Sequence, residues 1–180
     1  MIRAQGRLRR AAWTWLLLAW MALLMAGCAS GPARVDHGFG FDAVADSPGI
    51  DVLDYRYGTS LAPGAHMPAS VREKGGASGG TRTYGPMVRG DTLYVRWRVR
   101  ATGVVRDETV DLRARLPRDM ADHMVYFVAQ ADQLQVYLVT PQRRAAGDPV
   151  IGPAKFRAYQ VQRIYPDPVD GLRSQKAAQP

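Results

Sequence analysis

Cysteine is nearly absent from this chain. Its 180 residues contain one, Cys28, so no intramolecular disulfide can staple the fold and stability must come from the core. Histidine is also scarce. His37, His66 and His123 lie far apart and none has the H-x-x-x-H or H-E-x-x-H spacing, so a metal site would need the fold to gather them with Asp36 or Asp122, and no metal is expected. There is no G-x-x-x-x-G-K-[ST] loop, no dinucleotide fingerprint and no aromatic-basic RNA motif, which argues against a nucleotide cofactor and a nucleic-acid partner. Beyond residue 27 no amphipathic helical period is sustained. The chain as a whole, with 47% apolar residues, suits one ordinary domain.

The lone thiol sits at an informative place. "MIRAQGRLRR" carries Arg3, Arg7, Arg9 and Arg10 without an acid, and residues 11 to 27 follow without a charge. That is the layout of an export signal. Such signals usually end in a small-residue A-x-A site, whereas here Met25-Ala26-Gly27 runs directly into Cys28. The segment resembles the lipobox of bacterial lipoproteins, with Met25 where that family more often has Leu.

The resemblance implies diacylglycerol on the Cys28 sulfur, cleavage between Gly27 and Cys28, and acylation of the new amino terminus. Two or more acyl chains hold a protein on a membrane, where one binds reversibly. The competing reading is a retained transmembrane helix, for which the run is at the short end of the ~17–25 residues that span a bilayer. In the lipoprotein family an Asp after the cysteine retains the protein at the inner membrane. Ala29 stands there instead, which implies the outer membrane with the domain facing the periplasm, inner-membrane or surface placement being the alternatives. The expected partners are membrane lipid, through acylated Cys28, and an envelope protein. The four signal arginines account for half of the formal +8, leaving +4, which favours envelope anions only mildly.

Residues 28–49, rich in Gly, Pro, Ala and Asp, read as a flexible tether able to dock through Phe39 and Phe41. A domain is expected over 50–166, with a long loop at 59–90 and a frayed tail at 167–180. Leu53, Tyr55 and Tyr57 alternate as a first strand. In "TLYVRWRVR", Leu93, Val95, Trp97 and Val99 point one way and Tyr94, Arg96, Arg98 and Arg100 the other. "TGVVRDE" reads as a turn, and "TVDLRARLP" as the returning strand with Val110, Leu112, Ala114 and Leu116 inward. "HMVYFVA", apolar on both faces, and "LQVYLVTP" suggest a second hairpin, and "KFRAYQVQRIYP" a last strand. Six strands without a helix predict an all-β fold after the signal helix, a single antiparallel β-sandwich, with an immunoglobulin-like order or a small barrel as variants.

The run "LYVRWRV…ETVDLRARLPRDM…VYFVAQADQLQVYLVTP" resembles a group of uncharacterised proteobacterial lipoproteins that combine a signal, a lipobox and such a β domain. The likeness covers roughly residues 51 to 167. It implies location and fold and no activity.

Two features invite a functional reading. Arg96 and Arg98 on one strand, with Arg113 and Arg115 on its expected neighbour and Tyr94 beside them, would form a face able to hold an anionic lipid headgroup, a glycan or an acidic partner. The plainer reading is a solvated face paired with Asp107, Glu108 and Asp111. Gly76-Ala77-Ser78-Gly79-Gly80 spells the G-x-S-x-G of serine hydrolases, but that motif needs a strand entering and a helix leaving, and a loop is expected here. An enzyme is therefore not expected. The expectation is a lipid-anchored binding or interaction module of the cell envelope, the alternatives being anionic lipid or glycan binding through the arginine face, or an accessory or immunity-type partner of a secretion apparatus.

Overall fold

In the computed structural model, which describes residues 33–167, "TLYVRWRV" forms the strand its alternation implies. Leu93, Val95 and Trp97 are buried while Arg96 is exposed. The described residues form eight strands: β1 (Arg34–Asp42), β2 (Ile50–Tyr57), β3 (Gly80–Val88), β4 (Thr92–Val99), β5 (Val105–Asp111), β6 (Met124–Gln130), β7 (Gln133–Arg143) and β8 (Tyr159–Tyr165). One five-residue helix, α1 (Ala69–Glu73), and a 3-10 turn at Ala154–Phe156 complete the regular elements. The expected signal segment 1–27, Gly27, Cys28 and the tail past 167 lie outside the described residues.

The fold is all-β with two sheets. One has the order β3-β1-β6-β7-β8 and the other β2-β4-β5. Both expected hairpins, β4–β5 and β6–β7, are present. The larger sheet is mixed, because β1 runs parallel to β6 through Gly38 opposite Met124 and Gly40 opposite Tyr126. In the immunoglobulin order the first two strands share a sheet. Here β1 and β2 lie in different sheets, and two separate sheets do not make the closed wall of a barrel, so neither variant holds.

The expected tether is corrected most plainly. Residues 34–42 are not a linker: β1 is an interior strand with His37 to Phe41 all buried. Its glycines hid it. A Cβ on Gly40 would come within 2.5 Å of the Thr81 carbonyl oxygen, and one on Gly38 within 2.9 Å of Met124 Cγ, so close neighbours require glycine at alternate positions of a strand. Residues 59–90 are likewise not one loop. They contain α1 and β3, an edge strand that pairs with β1 from Arg34–Val88 to Asp42–Gly80. Its Gly85-Pro86 pair reads as a turn but is tolerated where one side of the strand has no ladder to complete.

Two registers also differ from expectation. A bulge between Val52 and Asp54 puts Ile50 and Val52 inward, then Tyr55 and Tyr57, leaving Leu53 only half-buried. β5 begins at Val105, in the segment expected to turn, and ends at Asp111. Leu112 and Leu116 are buried through a tight turn, with Leu116 N–H donating to Leu112 C=O at 3.1 Å, while Ala114 is exposed. A spacing of four suits a helical turn as well as a strand, so alternation alone misleads there.

One core lies between the sheets. Phe39 of β1 stacks on Tyr57 of β2 at 4.9 Å between ring centroids, and Phe41 stacks on Phe127 at 4.7 Å and meets Tyr55 edge-on at 5.1 Å. Such pairs add about 0.5–1.5 kcal/mol each to the burial of their area. β6 is covered on both faces: Val125, Phe127 and Ala129 enter this core, while Tyr126 and Val128 join a second cluster with Tyr137, Val139, Phe156 and Val161.

Candidate functional site

Side chains on the outer face of the three-stranded sheet follow from the inward set. With Leu93, Val95 and Trp97 in the core, Tyr94, Arg96 and Arg98 turn outward, and β2 presents Asp54 and Arg56 beside them. Arg96 stands opposite Asp54 on one side and Asp107 on the other. Arg98 Nη2 meets Asp51 Oδ2 at 2.8 Å, and Arg100 Nε donates to Asp51 Oδ1 at 2.8 Å. The Arg98 guanidinium, acting against partial burial and helped by Arg100, holds the Asp51 carboxyl below its ordinary range.

Arg113 and Arg115 are not on this face. β5 ends before them, so Arg113 pairs with Asp111 at 2.6 Å and lowers that carboxyl to about 2. Arg115 reaches the end of β8, donating to the Ile164 carbonyl at 2.6 Å and to both oxygens of Asp167. The expected four-arginine face is therefore two arginines interleaved with acids, plus two arginines bound elsewhere. Tyr94 keeps a place on the face, with the Arg56 guanidinium 5.9 Å from its ring centre.

Beside this face is a cleft of about 360 Å³, between β2 and the segment leading to α1. Backbone bridges place it: Tyr57 N–H donates to Ala65 C=O at 2.8 Å, Met67 N–H to Tyr55 C=O at 3.0 Å, and Arg56 lies opposite His66. Segment 65–67 thus covers the edge of β2 and sets His66 next to Arg56. Arg72 Nη1 reaches Asp54 Oδ2 at 3.3 Å. The Ser60 hydroxyl, buried, accepts from Ala62 N–H at 3.3 Å. Nδ1 of His66 is shielded from solvent and has no hydrogen-bond partner among the described residues. Arg56 was within reach of sequence reasoning, since inward Tyr55 and Tyr57 imply it. His66, Ser60 and Arg72 come from an aperiodic segment and gave no signal.

A second cluster lies over the outer face of the larger sheet. Lys155 Nζ donates to Asp42 Oδ2 at 3.0 Å, Asp46 Oδ2 at 2.8 Å and the Tyr126 oxygen at 2.8 Å, while the Tyr126 hydroxyl donates to Asp46 at 2.6 Å. Burial, then Asp46, push the Tyr126 phenol far above its ordinary range. Every member has a partner. This network clasps Phe156 and its 3-10 turn onto Tyr126, edge-on at 5.0 Å.

Catalytic geometry does not form at Ser78. α1 precedes it and β3 follows, the reverse of the strand-then-helix order that exposes a nucleophile. The link from β3 to β4 through Arg89, Gly90 and Asp91 is packed, with Gly90 against the Tyr57 ring and Arg89 donating to the carbonyls of Arg113 and Leu116. His37 is buried, His123 binds the Ala121 carbonyl at 2.8 Å, and no metal-binding group of three or more His, Cys, Asp or Glu is found among the described residues. No helix among the described residues is long and apolar enough to cross a membrane. Comparison with protein-family models, curated proteins and solved structures returned no match to this chain.

Proposed function

We propose that the chain is a lipid-anchored protein of the bacterial cell envelope whose β domain, a single sandwich, works as a binding module. The observation that carries the anchor is Cys28 directly after a basic head and 17 uncharged residues, with Met25-Ala26-Gly27 before it. Acylation at that sulfur tethers the domain to the outer membrane, facing the periplasm. Support for the sandwich comes from two sheets that share one apolar core through Phe39, Phe41, Tyr55 and Tyr57. Support for binding comes from the cleft beside the arginine-bearing face, where charged and shielded polar groups converge on one opening.

The test is intact-mass measurement of the protein purified from envelopes. A chain starting at Cys28 with added acyl mass supports the reading, and Cys28→Ser should remove that mass and release the domain from the membrane fraction. A mature terminus elsewhere, or an unmodified thiol, overturns it.

A further inference from the structure

The cleft beside β2 carries an inference about ligand chemistry. Its charged lining includes Arg56 and Arg72 against Asp54, an excess of one positive charge among these three groups. Arg72 already faces Asp54, but Arg56 has only the Tyr94 ring and no carboxylate among the described residues. Its charge is thus available to a ligand. Ser60 uses its oxygen to accept from Ala62, which leaves its hydroxyl proton free to donate. The His66 ring also lines the cleft and can report on its occupancy. At the lip, Leu61 is 85% exposed.

We propose that this cleft binds a phosphodiester monoanion attached to an apolar or glycerol-like group. Arg56 supplies the main charge-assisted hydrogen bonds, the Ser60 hydroxyl donates to one of the same oxygens, and Leu61 covers the ester substituent. Guanidinium groups match the two free oxygens of such a diester bidentately. The Asp54 carboxylate, in the same cleft, works against a dianion such as inorganic phosphate. The choice of a diester over a carboxylate rests on the lipid-anchored reading, since a domain held at a bilayer meets phospholipid headgroups first. A soluble glycerophosphodiester carries the same chemistry.

The full-length protein in a phosphate-free nonionic detergent is titrated with glycerophosphoglycerol, with inorganic phosphate and with acetate, following the His66 ring resonances and the heat of binding. Saturable one-to-one binding of the diester, at least tenfold tighter than either comparison anion, is expected. Arg56→Gln should weaken it tenfold or more without lowering the melting midpoint, and Arg113→Gln, at a distant ion pair, should leave it unchanged. No saturable binding, tighter binding of acetate or phosphate, or an unaltered Arg56→Gln variant overturns the proposal. Adding phosphatidylglycerol to the micelles separates the sources: displacement of the soluble probe marks the lipid headgroup as ligand, and its absence marks the soluble diester. The intact mass of the same sample reports acylation independently, so failure of the cleft and failure of the anchor are distinguishable.

Discussion

The rings of His37 and Tyr57 meet edge-on at 5.8 Å in the core, where the Tyr57 hydroxyl and His37 Nε2 are 3.2 Å apart. Nδ1 of His37 lies 2.8 Å from the Val35 carbonyl, which can only accept, so Nδ1 carries the proton and Nε2 accepts from the phenol. The pair joins β1 to β2, across the two sheets, and both partners are neutral. Burial lowers the His37 pKa from 6.5 and pushes the Tyr57 phenol up to about 12.

Stability should therefore fall with pH on the acid side of neutrality. The unfolded chain takes up a proton at His37 near pH 6.5, while the folded chain resists it until a lower pH. The contribution is fully present above pH 6.5 and is lost below it, at a slope of at most about 1.4 kcal/mol per pH unit for one group. Urea midpoints measured between pH 8 and pH 5 should show this slope, and His37→Gln should flatten it. A slope equal in both proteins would remove His37 as its origin.

Phe39→Ala should cost about 3–5 kcal/mol, the range for emptying a packed aromatic site. Phe39 is wholly buried and touches Tyr55, Tyr57 and Phe127. A substitution in a solvated linker would change stability by no more than about 0.5 kcal/mol. Chemical denaturation of the two proteins separates an interior strand from a tether.

Lys155→Met should destabilise by about 1.5–3 kcal/mol, since it removes hydrogen bonds to two carboxylates and a phenol and leaves Asp42 and Asp46 facing one another. Hydrogen exchange should quicken in the 144–158 segment before it does in β6 or β7. Equal protection in both proteins would show that Phe156 alone holds that segment.

Gly90→Ala should cost about 1–3 kcal/mol, because its new Cβ would stand 2.5 Å from Tyr57 Cε2 and 2.7 Å from Cδ2. Displacing that ring also disturbs the His37 hydrogen bond, so the variant should lose the sharp melting transition along with stability. By contrast Arg98→Gln should stay within about 1 kcal/mol, because Arg100 remains on the partly buried Asp51 and the Arg98 side chain is itself well solvated. Calorimetry of the two variants under one condition makes the comparison.

Period-two patterning by itself determined that the chain is β-rich, which residues of β4 face the core, that β6 is covered on both sides, and that two hairpins form. These follow from alternation and turn chemistry, which are local. Only the tertiary structure decided that β1 is an interior strand, because its glycines answer to Thr81 and Met124, residues distant in sequence. It also decided that Arg113 and Arg115 leave the arginine face, since β5 stops where Leu112 and Leu116 can close a turn over the core. The cleft was illegible for the same reason: Arg56 sits on a periodic strand, but His66, Ser60 and Arg72 reach it through backbone bridges that no local period encodes. The acylation proposed for Cys28 is the opposite case, resting wholly on the residues immediately before it, outside the described part of the chain.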